Sequence, residues 1–375
     1  MTPAAGGDAA RLSLLLPRTG ERCEIAAGPG LLAELPRLLS DHAPAHAYAV
    51  IADANVAALY GEGLLAALRD AGAPARLYPF PAGERHKTTA TWAGLVEALA
   101  RDAPGRDACV IGLGGGVTCD LAGFVAATFL RGIPLVQVPT SLLAMVDAAI
   151  GGKAGVDLEA GKNLAGAFWQ PRLVVADTDL LRTLPQAEIG AGLAEAVKHG
   201  AIADEAAFAW LEAHGSRVLA ADAAALGRVV ADSIRVKAAY VAEDVREAGP
   251  RAALNFGHTI AHALERASAY ALAHGPAVAI GMCVEARLGE EAGVTEAGTA
   301  GRLGRLVASL GLPCAVAAEL DPAVLLEATR TDKKARRGAV RYTLLRGIGA
   351  VARAADGGWT HEAPDAAVLK ALGGA

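Results

Sequence analysis

The sequence predicts an α/β protein with a mostly parallel sheet domain over residues 1–184 and an all-α domain over residues 185–375. Three observations predict it. Short apolar runs alternate with helical patterns through the first half. Strand-like runs nearly stop after Leu184. Pro185 stands at the change, and helices rarely run into a proline. At 375 residues the chain is too long for one ordinary core and long enough for two.

The strand-length runs come in order as AYAVIAD (47–53), ARLYPF (75–80), ACVIGLG (108–114), IPLVQVP (133–139) and RLVVAD (172–177). Between them lie NVAALYGEGLLAALRDAG and TTATWAGLVEALARDA, which suit helices. Strand and helix in alternation imply a parallel sheet covered on both faces, a Rossmann-like arrangement that binds ligands at the carboxyl ends of its strands. Beyond Pro185, AEIGAGLAEAVKHGAI, AALGRVVADSIRVKAAYVAEDV, HTIAHALERASAYAL and AVAIGMCVEARLGEEAG all suit helices. The exception is AVRYTLLRGIGAVARA, which fits a short hairpin. No repeat or low-complexity linker separates the halves, and a cleft between two such domains is the default place for a site.

Composition narrows the function. Hydrophobic residues make up 53% and charged residues 20%, as in a globular protein. A formal net charge of -5 argues against a nucleic-acid partner held by bulk charge. The apolar run near the N-terminus is too short for a signal peptide or a membrane span. The five cysteines are scattered without a C-x-x-C, which reads as reduced thiols in a cytoplasmic protein.

Three stretches carry candidate chemistry. IGLGGGVTCDLAGF follows a strong strand and opens a helix. Its glycines would let backbone N–H groups approach a phosphate, or simply make a tight turn. Asp120 there either caps the helix or meets a ribose hydroxyl. GGKAGVDLEAGKN reads as a flexible loop carrying Lys153 and Lys162. The apolar VPTSLLAMVDAAIGGK before it keeps Lys153 near a core edge and leaves the Asp147 carboxylate in need of a partner. In NFGHTIAHALE, His258 and His262 lie one turn apart on a helix. With His274 and Glu195 they make four candidate zinc ligands, of which a catalytic site needs three. The glutamate base of zinc peptidases is missing between the two histidines, and spacing does not say which three bind.

Together these motifs resemble the 3-dehydroquinate synthase family of sugar-phosphate cyclases. The resemblance runs from AGERHK (82–87) to DKKARRGAVRYTLL (332–345). It includes GGGVTCDLAGF, RGIPLVQVPTSLLAMVDAAIGGKAGVD, GKNLAGAFWQP, TLPQAEIGAGLAEAVKHG, LNFGHTIAHALE and HGPAVAIGM in family order. It implies NAD and a divalent metal, zinc first and cobalt as an alternative, with Glu195, His258 and His274 as ligands. His262 corresponds to a histidine that handles substrate phosphate and protons instead. The implied NAD positions are Gly83, Glu84, Lys87, Gly115, Gly116, Val117, Asp120, Thr140, Ser141, Lys153, Lys162, Leu180 and Thr183. The implied substrate positions are Asp147, Lys153, Asn163, Lys198, Lys237, Glu247, Arg251, Asn255, Lys333 and Lys334. Arg131 matches an arginine donated across a homodimer interface.

Three positions depart from the family pattern. Cys119 replaces a glycine and would crowd the turn; Ser141 replaces a threonine and keeps its hydroxyl. Pro276 replaces an acidic residue beside His274, leaving one fewer carboxylate behind the metal.

The resemblance implies conversion of 3-deoxy-arabino-heptulosonate 7-phosphate, a small anionic sugar phosphate, into 3-dehydroquinate. The sequence of steps is transient oxidation, phosphate elimination, re-reduction and aldol closure. An amino-dehydroquinate synthase of a secondary-metabolite pathway and a metal-dependent NAD alcohol dehydrogenase are the alternatives.

Overall fold

The computed structural model describes residues 9–16, 20–330 and 340–373. They fall into two compact units, Met1–Leu184 with Leu226–Ile234, and Pro185–Ala225 with Arg235–Ala375.

In the first unit, β1 (Ala10–Leu16) and β2 (Glu21–Gly28) form an antiparallel hairpin. Then come α1 (Leu31–His42), β3 (Tyr48–Asp53) and α2 (Ala54–Val56), which runs through a π-helical turn into α3 (Glu62–Asp70). Next are β4 (Ala75–Phe80), α4 (Thr89–Asp102), β5 (Cys109–Gly114), α5 (Gly116–Thr128) and β6 (Leu135–Pro139). A second hairpin, β7 (Lys153–Leu158) and β8 (Gly161–Phe168), precedes β9 (Leu173–Asp177).

All five strands expected from apolar runs are present. They form one sheet in the order β1-β2-β9-β6-β5-β3-β4, parallel except for β1. Both faces are covered, so β5, β6 and β9 are buried at every position. Fully buried Ile51, Val110, Leu121 and Val125 sit at the sheet–helix contact, each worth about 1.5–3 kcal/mol of transfer free energy. Side chains set the helix starts: Asp53 Oδ1 accepts from the N–H groups of Asn55 and Val56, and Thr88 Oγ1 from that of Thr91.

Two readings change here. The N-terminal hairpin adds two strands where the sequence suggested none. The glycine-lysine cluster is an ordered hairpin, not a loop, and Lys153 is exposed at its start.

The second unit is helical. It contains α6 (Gln186–Ala203), α7 (Glu205–Leu219), the later part of α8 (Ala223–Glu243), α9 (His258–Ala267) and α10 (His274–Glu291). α11 (Thr299–Ser309), α12 (Pro322–Arg330) and α13 (Asp365–Gly373) complete it. The expected late hairpin is the pair β10 (Leu345–Gly347) and β11 (Ala350–Val351). α9 stops earlier than its apolar pattern suggested, because Ala269 and Tyr270 take left-handed backbone angles. Among the described residues no helix is long and apolar enough to cross a membrane.

Candidate active site

The first unit presents its chemistry at the carboxyl edge of the sheet. Counting only β3, β4, β5, β6 and β9, the parallel strand order is 2-1-3-4-5, which reverses direction between β3 and β5. Ligands in doubly wound sheets bind at that reversal. Gly114, Gly115 and Gly116 end β5 and start α5 there. Asp53 ends β3, and its Oδ2 accepts from Thr118 Oγ1 at 3.4 Å. The sequence reading missed Asp53, although an acid at the carboxyl end of a strand is the signal for ribose recognition.

Asp120 does not cap α5. It lies beyond the first turn, behind the Gly115 N-cap, and pairs with Lys87. Lys87 is 4% exposed and gathers three carboxylates: Glu84 at 2.9 Å, Asp120 at 3.3 Å and Asp157 at 3.6 Å. Lys162 reaches Glu84 at 3.6 Å. The structure therefore brings Glu84, Lys87, Asp120 and Lys162 into one network, with Asp157 as a member that sequence reasoning did not find. Two ammonium groups face three acids. Burial pushes Asp120 up to about 6 although Lys87 draws it down, while the acids hold Lys87 above its ordinary value against its burial.

Gly83 turns at φ 106° into the short helical turn of Glu84–His86. Val117 is half-buried in the first turn of α5. The buried Thr140 donates its N–H to the Gly114 carbonyl, and Ser141 Oγ accepts from the Ala144 N–H. Leu180 is buried, and Thr183 shares a 2.6 Å hydrogen bond with the Tyr60 hydroxyl. Asp147 is half-buried in a π-helical turn. Arg131 and Asn163 hold left-handed backbones, φ 67° and 56°, rare for residues with side chains. Cys119 does not crowd the turn. Its thiol is 1% exposed and faces the Gly114 carbonyl from beneath.

The second unit gathers the metal candidates. Glu195 on α6 is fully buried. His258 Nε2 lies 3.4 Å and His274 Nε2 3.3 Å from Glu195 Oε1, and the three ligand atoms lie within 4.8 Å of one another. Bonds of ~2.0–2.1 Å to one tetrahedral ion put neighbouring ligand atoms about 3.3–3.4 Å apart, so the donor set fits. His262 is one turn beyond His258, its ring 5.8 Å from that of His258, and is not in this trio.

Close helix packing makes the trio. Gly257 holds φ 81° to start α9 at His258, and its N–H donates to the fully buried Glu285 carboxylate at 2.8 Å. At Gly275 a Cβ would come within 2.4 Å of Ala191 Cα, so only glycine lets the start of α10 touch α6 one turn before Glu195.

Burial pushes the Glu195 carboxyl up, but the Lys198 ammonium against it and the two histidines hold it well below the ordinary range. His274 is raised to about 9 despite burial, by Glu195 and by Glu265, whose carboxylate lies 3.5 Å from His274 Nδ1. Glu265 thus supplies the supporting acid that Pro276 lacks. It comes from a different helix, which spacing could not reveal.

Three cations of this unit, Lys198, Lys237 and Arg251, are each 5% exposed or less, unusual unless paired. Arg251 is seated by the Val245 carbonyl at 2.6 Å, and Asp244 Oδ2 accepts its backbone N–H. Asn255 donates its side-chain amide to Glu247, which sits at φ 57°. The turn Pro250–Asn255 packs against α6, the helix that carries Glu195, and leads into α9. Lys333 and Lys334 lie outside the described residues.

A sheet with polar side chains and a glycine turn at its strand reversal, and a helical unit whose Glu195, His258 and His274 could hold one cation, fit a class: metal-dependent enzymes built on a nucleotide-binding type of sheet. Comparison with known proteins makes the class particular. The chain belongs to the 3-dehydroquinate synthase family. The family's N-terminal model matches residues 77–191 and its C-terminal model residues 192–335. The 3-dehydroquinate synthase of Symbiobacterium thermophilum is 49% identical over 326 residues, 86% of this chain and 91% of that one. The synthase of Pelobacter propionicus is 44% identical over 340 residues, 90% and 94% of the two chains. Among solved structures, the 2-epi-5-epi-valiolone synthase of Streptomyces hygroscopicus, with NAD+ and Zn2+ bound, superposes with a TM-score of 0.84. It is 29% identical, over 93% of this chain and 95% of that one.

Proposed function

We propose that the chain is a phosphate-eliminating lyase that converts 3-deoxy-arabino-heptulosonate 7-phosphate into 3-dehydroquinate and inorganic phosphate. This is a step of the shikimate route to aromatic amino acids, run with NAD and a divalent metal, zinc or cobalt. The observation that carries the reading is the meeting of Glu195, His258 and His274, up to 79 positions apart in sequence, within reach of one ion.

Glu195, His258 and His274 would hold the metal, a Lewis acid that polarises substrate hydroxyl oxygens. The glycine turn, Val117 and Asp120, with Gly83, Glu84, Lys87, Thr140, Ser141, Lys162, Leu180 and Thr183, would hold NAD, which accepts a hydride and returns it, so net redox is zero.

The remaining roles belong to the chain's own side chains. Lys198 neutralises the buried Glu195 and keeps it ionised as a ligand. Arg251, Lys237 and Lys153 bind the substrate's carboxylate and phosphate. The near-complete burial of Arg251 and Lys237 strengthens their contacts over the value in water, whereas Lys153 reaches in from an exposed position. Asn255, oriented by Glu247, and Asn163 donate to substrate oxygens. His262 holds or passes the proton that moves as phosphate leaves, and Asp147 orients a substrate hydroxyl. Lys333 and Lys334 complete the anion site.

The protein works as a cytoplasmic homodimer in which Arg131 reaches the partner's substrate. Leu130, beside Arg131, is exposed, which favours a covered surface there.

The test is phosphate release from the heptulosonate phosphate with and without chelator. Release that stops on chelation and returns with zinc or cobalt supports the reading. No release with metal and NAD present overturns it, and stoichiometric NADH would indicate a dehydrogenase.

A further inference from the structure

The pairing of β7 with β8 breaks near the hairpin's turn. Val156 faces Ala165, yet two residues on Leu158 faces Gly161, four residues away on the other strand. Three residues of β8, Lys162, Asn163 and Leu164, stand opposite the single Asp157, a bulge. Bulges leave backbone groups without their ladder partners and re-aim side chains. Here Asn163 takes φ 56°, and its backbone N–H donates to the Asp157 side chain, Oδ1 at 2.8 Å, instead of to a backbone carbonyl of β7.

Asp157 is also tied in the other direction. Its own N–H donates to the Lys87 carbonyl at 2.8 Å, its Oδ1 lies 3.6 Å from Lys87 Nζ, and Thr88 bridges to it. The hairpin is held down along its length as well, where Ala154 packs on Gly123 of α5. The Asp157 carboxylate therefore fixes the bulge that displays Lys162 and Asn163 and faces the Lys87 ammonium, while its backbone N–H ties the same point to the turn that displays Glu84 and Lys87.

We propose that Asp157 is a positioning residue that sets Asn163 for substrate and holds it in register with Lys87. The proposal rests on the functional reading above for what Asn163 and Lys87 bind. Asp157 acts through these two residues and touches no reacting atom.

Two substitutions separate its contacts. Asp157→Asn keeps an oxygen for the Asn163 N–H, whereas Asp157→Ala removes it. In the NAD- and metal-loaded enzyme, Asp157→Ala should raise the KM for the heptulosonate phosphate about tenfold, and Asp157→Asn should stay within about threefold of wild type. Adding Asp157→Ala to Asn163→Ala should change KM by less than about twofold, since a residue acting through another adds nothing once that other is gone. Amide hydrogen exchange of a peptide spanning 158–164 should quicken about tenfold in Asp157→Ala and stay near wild type in Asp157→Asn. Asp157→Ser, too short to reach the amide, replaces the alanine variant should that one not fold.

The proposal is overturned if Asp157→Ala loses thermal stability alone, with KM and local exchange unchanged. It is equally overturned if the double variant shows the product of the two single effects. Should wild-type enzyme not turn over this substrate, the functional reading fails, and the exchange comparison still decides whether Asp157 holds the bulge.

Discussion

Gly275→Ala isolates the packing that builds the proposed metal centre. The added methyl would stand 2.4 Å from Ala191 Cα, 2.6 Å from its carbonyl oxygen and 2.7 Å from its Cβ. Relief to ordinary contact near 3.4 Å requires α10 to shift by about 1 Å from α6, an overpacking that costs about 1–3 kcal/mol of stability. His274 opens α10 and now lies 3.3 Å from Glu195. A shift of about 1 Å directed away from α6 takes that separation to about 4.3 Å. Two ligands bonded at ~2.1 Å to one ion can be no more than about 4.2 Å apart, even on opposite sides of it. The variant should therefore lose zinc affinity by at least about 100-fold, read by competition with a chromophoric chelator at constant pH. Gly190→Ala is the control. It lies on α6 beside Ala191, but its Cβ would meet nothing within 4 Å, so affinity should be unchanged. Wild-type zinc affinity in folded Gly275→Ala would refute the argument that this contact brings the ligands together.

Three further outcomes are expected. Glu195 and Glu265 hold His274 up to about 9, so zinc must displace a proton, and affinity should fall about tenfold for each pH unit below 9. Because that value lies above the ~6.5 of an unfolded histidine, the metal-free protein keeps the corresponding stability below pH ~6.5 and loses it as pH rises toward 9, measurable as Tm after chelation. Asp120, half-buried and raised to about 6, costs stability once ionised. Asp120→Asn should raise the Tm of the NAD-free protein above pH 6, leave it unchanged near pH 4, and weaken NAD binding about tenfold by fluorescence titration. Cys119→Ala should leave the NAD dissociation constant within about twofold, since the thiol is buried behind the turn; a larger change would restore the view that it crowds the cofactor.

Much of this architecture was legible because apolar patterning reports burial. AYAVIAD, ACVIGLG, IPLVQVP and RLVVAD are buried on both faces, and such runs leave few alternatives to a central strand. The β7–β8 hairpin was not legible. Its strands are rich in glycine and polar residues, and what makes them strands is packing against α5, a tertiary contact. The i,i+4 pair in NFGHTIAHALE was visible, yet periodicity could not divide its labour. That division depends on α6 and α10 meeting at Gly275. Glu265, Glu285 and Asp157 were invisible for the same reason: each matters through a partner on another element.

The most direct measurement is zinc-edge X-ray absorption on protein loaded with one equivalent of metal. The account predicts two imidazole nitrogens at ~2.0–2.1 Å and a carboxylate oxygen at ~2.0–2.2 Å, with one imidazole lost in His258→Ala and none lost in His262→Ala. Sulfur scattering at ~2.3 Å, or loss of an imidazole in His262→Ala but not in His258→Ala, would contradict it.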